Sequence, residues 1–359
     1  MEKNILEVKD LVVRYETEDG IVRAVNSVNL SIGQGAAVGL VGETGAGKTT
    51  LAKSILRLIQ WPPGRIAEGE ILYNGLDLLS LSEEEMCKIR GNDISMIFQD
   101  PMTALNPVLT VGKQISEVIS AHEQHITQEE ADEKMRQILA TVGIDPKRAE
   151  EYPHQFSGGM KQRVVIAIAL ACNPNLLIAD EPTTALDVTI QAQVLDLIRQ
   201  LRDQLGTSML LITHDLGVVA QNCEYVAIMY AGEIIEYGKI HDVFKNSLHP
   251  YTVGLFDSIP KLNEEVDRLH PIDGLMPDPA NLPKGCKFHP RCRYAEAICR
   301  EEEPEMVEIE EGHTVCCHRY TGKCGLAEGD KANEKASHCA SPAGSRDGYG
   351  TLRLRRPKV

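Results

Sequence analysis

The stretch AAVGLVGETGAGKTTLAKSILRLI, residues 36–59, decides the architecture. A short apolar run leads into a glycine-rich turn, and a segment with helical spacing follows. Strand, glycine loop and helix in that order announce a parallel α/β unit. Residues Gly42, Glu43, Thr44, Gly45, Ala46, Gly47, Lys48, Thr49 and Thr50 fit the spacing G-x-x-x-x-G-K-S/T. Glycines let the backbone curl so that its N–H groups face phosphate oxygens. The helix that follows points its positive end at the same anion. Lys48 is placed to reach the β- and γ-phosphates, and the Thr49 hydroxyl to ligate Mg²⁺. A nucleoside triphosphate site follows from this run.

On either side the pattern extends the same unit. Upstream, ILEVKDLVVRYE and VRAVNSVNLSI alternate with period two, which predicts short, half-exposed strands. Downstream, NLLIAD (175–180) and SMLLIT (208–213) read as buried strands. Residues 110–150 and GGMKQRVVIAIALAC read as helices, so the expected core is a parallel sheet covered on both faces. Asp180 and Glu181 end one strand, at the edge where open α/β sheets bind ligands. Asp180 suits the hydration shell of Mg²⁺, and Glu181 suits polarising an attacking water. His214 follows another strand at the equivalent edge, within expected reach of a γ-phosphate.

Composition bounds the rest. A chain of 359 residues accommodates one large or two modest domains with an ample core. Its net charge of −15 argues against nucleic acid as a partner. The last twenty residues hold five basic side chains and one acid, and they read as a disordered tail. No apolar run reaches the ~18 residues of a membrane span, and the N-terminus lacks a secretory pattern. The expectation is a cytosolic chain that meets a membrane only through partners.

Taken together, the motifs resemble the ATP-binding subunit of an ABC transporter over residues 1 to about 240. Tyr15 stands where that family's aromatic stacks on adenine, and residues 42–50 match its Walker A loop. Gln99 in MIFQDP matches the Q-loop, and Asp180 with Glu181 matches Walker B and the catalytic glutamate. Asp187 matches the D-loop and His214 the switch histidine. Phe156, Ser157, Gly158, Gly159 and Met160 resemble the LSGGQ signature, with departures at Phe156 and Met160 that keep the serine and glycines. Exposed N–H groups at the start of that helix make a second anion site. The resemblance implies a fold with a parallel core sheet, an N-terminal antiparallel β subdomain and a helical subdomain at about 100–165. It also implies catalytic roles for Glu181, His214 and Gln99, Mg²⁺ at Thr49, Gln99 and Asp180, and ATP sandwiched between head-to-tail subunits by one Walker A loop and the partner's Ser157–Met160.

Seven of ten cysteines fall between Cys286 and Cys339. In a cytosolic chain such a cluster points to metal. Their spacing is not the tight pairing of zinc ribbons, and the chemistry alone leaves zinc, an iron–sulfur cluster and free thiols open. His289, His313 and His318 are further candidates for zinc. The segment HPYTVGLFDSIP, then C-x-F-x-P-R-C and V-x-C-H, resembles the C-terminal region of oligopeptide and dipeptide importer ATPases. That resemblance implies a four-iron four-sulfur cluster on Cys286, Cys292, Cys299 and Cys317, with Cys316 as the competing fourth ligand; Cys324 and Cys339 read as unligated.

The resulting expectation is an ATPase domain at 1–250, a cysteine-bearing extension at 251–325 and a tail at 326–359. In function it is the ATP-hydrolysing subunit of a peptide importer. It would work on the cytoplasmic membrane face with two permeases, a second ATPase chain and, indirectly, an external solute-binding protein. A soluble ABC ATPase of repair or translation, and an importer of nickel or other metal chelates, remain the alternatives.

Overall fold

The computed structural model describes residues 3–123, 125–184, 186–258 and 272–323, with only the backbone of Pro101 and Met102. Cys324, Cys339 and the expected tail lie outside the described residues. In chain order the strands are β1 (Asn4–Thr17), β2 (Gly20–Gly33), β3 (Ala37–Val41), β4 (Gly64–Tyr73), β5 (Leu76–Asp77) and β6 (Ile94–Ile97). There follow β7 (Leu176–Asp180), β8 (Ser208–Thr213), β9 (Tyr225–Tyr230), β10 (Glu233–Lys239), β11 (Met306–Glu310) and β12 (His313–Cys316).

Two sheets result. The antiparallel sheet runs β2-β1-β4-β5, and the larger sheet runs β11-β12-β10-β9-β3-β8-β7-β6. Pairing is parallel from β9 through β3, β8 and β7 to β6. Every residue of β3, β7 and β8 is buried, as expected for strands covered on both faces. The parallel core, the antiparallel N-terminal subdomain and the intervening helices agree with the ABC-type fold that the motifs imply.

The N-terminal strands are longer than the alternation suggests, at 14 residues each. Asp10 and Ser27 take positive φ values of 46° and 47°, and the β1–β2 register shifts beside both. Such bulges let a strand pass an out-of-phase polar residue and keep pairing, so an interrupted pattern still forms one strand.

Between β6 and β7 the helices Val111–His122 and Gln128–Thr141 pack through Ile115, Ile119, Met135 and Leu139. Thr110 and Thr127 cap them, accepting from the backbone N–H groups of Lys113 and Glu130. Among the described residues no helix is long and apolar enough to cross a membrane.

The sequence suggests a boundary near residue 250, yet the chain beyond it is woven into the main sheet. The β11–β12 hairpin adds to the edge of β10, so the sheet continues across the expected boundary. A buried carboxylate fixes that join: Glu236 on β10 accepts from the backbone N–H groups of Leu248 and His249, each at 2.9 Å, and from His313 Nε2 at 2.9 Å. Both Glu236 and His313 are fully buried. Glu236→Ala strips three buried donors of their acceptor and is expected to cost about 3–5 kcal/mol, seen as a lowered thermal midpoint of the full-length chain.

Candidate active site

The phosphate loop lies between β3 and the helix Lys48–Ile55. Two glycines are dictated by space. A Cβ on Gly42 would sit 2.2 Å from the Met229 carbonyl oxygen, and one on Gly47 2.3 Å from that of Ala24. Gly47 also has φ 105°, a region closed to ordinary side chains. Thr44 and Gly45 are exposed at the crest, whereas Ala46 and Lys48 are buried. The Lys48 ammonium donates to the carbonyls of Gly42 at 2.7 Å and Glu43 at 3.0 Å. Burial lowers its pKa, and the carboxylates of Glu181, Asp180 and Glu43 oppose that shift. A cation with so little solvation gains from an incoming phosphate. Thr50 lies in the first turn of the helix, its carbonyl accepting from Ser54 Oγ at 2.7 Å.

Thr49 Oγ1 donates to Asp180 Oδ1 at 3.2 Å, which brings two hard oxygen ligands together beside the loop. Burial raises the Asp180 pKa, and the Thr49 hydrogen bond works the other way.

The edges of β6, β7 and β8 deliver the remaining polar groups side by side. Glu181 Oε2 accepts from Gln99 Nε2 at 3.1 Å and from Thr184 Oγ1 at 2.9 Å. Its Oε1 lies 3.4 Å from His214 Nδ1. Glu181 is a non-glycine residue with φ 45°, a strained conformation of the kind found at working sites. Thus Thr49 contacts Asp180, while Gln99, Thr184 and His214 contact Glu181, the next residue, and Lys48 feels the charge of both carboxylates. Thr184 is the member that sequence reasoning missed; a threonine in a turn carries no signal of its own.

Other expected residues stand apart from this group. Ser157 caps the helix Gly158–Leu170, accepting from Met160 N–H at 3.4 Å. Ser157 and Gly158 are exposed. Gly159 faces Ile190, and an added Cβ would come within 2.7 Å of it. Arg148 supports the two atypical positions. Its guanidinium lies 4.5 Å from the Phe156 ring centroid, and one nitrogen is 3.3 Å from Met160 Sδ. Asp187 caps the helix Val188–Leu205 through Ile190 N–H at 3.0 Å. Tyr15, on β1, is half-buried with its ring against Gly64.

In the extension, Cys286, Cys292, Cys299 and Cys317 line one cavity, together with His249, His289 and His318. Cys316 is not among the lining residues; its Sγ approaches the Pro304 carbonyl at 3.0 Å. Consecutive residues at a strand end point opposite ways, which separates the adjacent pair. Burial pushes the Cys286 thiol up to about 12 and Cys317 up to about 11, and neighbouring cysteines add to both shifts. The buried His318 ring donates from Nε2 to the Glu302 carbonyl at 3.0 Å, and its Nδ1 has no partner. Four thiols line this one cavity, and among its lining residues His318 carries a buried, unpartnered ring nitrogen. Among the described residues, no three His, Cys, Asp or Glu side chains are arranged to hold a single metal ion.

Comparison with known proteins bears on the family and the fold. The ABC transporter family matches residues 25–184, and the oligopeptide/dipeptide transporter C-terminal region matches 235–299. The oligopeptide transport ATP-binding protein AppD of Bacillus subtilis is 49% identical over 320 residues, covering 88% of this chain and 97% of its own. OppD of the same organism is 50% identical over 314 residues, covering 87% of each chain. The dipeptide transport ATP-binding protein DppD of Lactococcus lactis is 48% identical over 314 residues, covering 87% of this chain and 90% of its own. Among solved structures, a dimeric ATP-binding cassette bound to ADP and phosphate is 30% identical with a TM-score of 0.59, covering 66% of this chain and 98% of its own. The chain belongs to the ATP-binding subunits of ABC transporters, in the oligopeptide/dipeptide group.

Proposed function

We propose that this chain hydrolyses ATP to power uptake of oligopeptides or dipeptides through membrane permeases. Similarity to relatives named for such transport supports the substrate class. The single observation carrying the chemistry is the Glu181 carboxylate, held by Gln99 and Thr184 and faced by His214 next to the phosphate loop.

In this reading the loop from Gly42 to Thr50 cradles the phosphates, with Lys48 on the β- and γ-groups. Tyr15 stacks on the base. Thr49, Asp180 and Gln99 would hold Mg²⁺, which neutralises phosphate charge when bound. Glu181 takes a proton from water as its oxygen bonds to the γ-phosphorus. The bond from that phosphorus to the β-phosphate oxygen breaks, giving ADP and phosphate. His214 holds the Glu181 side chain and contacts the γ-phosphate. Ser157, Gly158, Gly159 and Met160 bind the partner's ATP, and Asp187 meets the partner's loop.

The assembly is two ATPase subunits, the second a related chain, beneath two permeases on the cytoplasmic face, with an external solute-binding protein supplying cargo. Residues 1–250 form the motor, with its helical subdomain at about 100–165. Residues 251–325 form the extension, where Cys286, Cys292, Cys299 and Cys317 would hold a four-iron four-sulfur cluster acting as a structural staple.

Two measurements test this reading. The assembled transporter, reconstituted in vesicles, is expected to take up a labelled di- or oligopeptide only with ATP present; selective uptake of a metal chelate instead overturns the substrate class. Anaerobically purified chain is expected to contain about four irons per molecule, with visible absorption lost in the Cys286→Ser/Cys299→Ser variant. Zinc without iron overturns the cluster.

A further inference from the structure

The extension reaches back onto the phosphate loop. The buried Arg291 guanidinium donates two hydrogen bonds to the Glu43 carboxylate, at 2.9 and 3.1 Å. Arg291 is itself fixed by the carbonyls of Asp273 at 3.0 Å and Ile272 at 3.3 Å. Glu43 is held through its backbone as well. Its N–H donates to Tyr251 Oη at 3.1 Å, and its carbonyl accepts from Lys48. Phe288, three residues before Arg291, packs its ring 5.5 Å from that of Tyr251. Four bonds to one loop residue thus involve two extension side chains and the loop lysine.

The electrostatics give this contact a use. A carboxylate inside a phosphate loop repels a triphosphate, and a cation held against it lowers that penalty. A bidentate guanidinium does so and also fixes the direction of the loop. Arg291 would not touch the nucleotide; it acts through Glu43.

We propose that Arg291 is a positioning residue for ATP, neutralising and orienting Glu43 so that the phosphate loop is ready for its ligand. The cysteine-bearing extension is thereby a working part of the nucleotide site. The inference rests on ATP binding at this loop and is independent of the transported solute.

Equilibrium titration of the full-length chain with ATP and Mg²⁺ tests it. Arg291→Ala is expected to weaken ATP binding about tenfold, as loss of one member of a half-buried charge pair does. Adding Glu43→Gln removes the exposed charge, and the double variant is expected to return to within about threefold of the starting affinity. A merely structural arginine gives no such rescue. Arg291→Lys, which keeps the charge and the buried stem, is expected to fall between the two and serves if the alanine variant does not fold. Unchanged affinity in Arg291→Ala, or a double variant no better than Arg291→Ala, overturns the proposal. Loss of ATP binding in Lys48→Ala checks separately that the loop is the nucleotide site.

Discussion

Glu181→Gln is expected to lower ATP turnover by about 10²- to 10⁴-fold, the range associated with losing a general base. The amide has nearly the same shape, so the neighbouring Gln99 and Thr184 keep an oxygen to donate to, but it cannot take a proton from water at neutral pH. Lys48, Thr49 and Asp180 are untouched, so ATP binding is expected to persist within about threefold of the parent. The chain therefore accumulates in an ATP-bound form. Single-turnover hydrolysis in the assembled transporter, together with ATP retained after rapid desalting, measures both parts. Turnover within twofold of the parent, or loss of ATP binding, contradicts the role given to Glu181.

Gly47→Ala should abolish the nucleotide site by a different route. The substitution adds one methyl group where the nearest atom, the Ala24 carbonyl oxygen, would be 2.3 Å away. That oxygen belongs to β2 and cannot swing aside as a long side chain does. The backbone at Gly47 also holds φ 105°, so relief of the clash and relief of the torsion both displace the loop where it enters the helix. Displaced N–H groups no longer converge on phosphate, and the lysine that follows moves with them. ATP affinity is expected to fall at least about 100-fold, since misplacement by about an ångström costs that much in a positioned site. Fold stability should fall far less than with Glu236→Ala, because the loop borders the core without filling it. Nucleotide titration and thermal unfolding of the full-length variant separate the two effects.

The part of this molecule legible in its sequence is the part whose chemistry is local. The phosphate loop needs glycines at set spacing before a lysine, and β3, β7 and β8 are built on short apolar runs, so their identities and edges followed from spacing. Gln99, Asp180, Glu181 and His214 stand at the ends of such strands, and the sheet carries them together. What stayed hidden depends on residues far apart. Arg291 and Glu43 are separated by 248 positions, and nothing local marks either as the other's partner. The union of β10 with β12 was equally silent, because a hairpin after a proline-rich stretch reads as an appendage until Glu236 and His313 are seen together. The bulges at Asp10 and Ser27 concealed the length of β1 and β2. Arg148 beneath Phe156 and Met160 shows why unusual signature residues are accommodated, which spacing alone does not reveal.

The Arg291 clasp also orders events during synthesis. The loop that grips phosphate leaves the ribosome long before the arginine that steadies it, with most of the polypeptide still to be made. A prematurely stopped product therefore carries every recognisable ATP motif, yet has an unsteadied loop and a bare edge on β10.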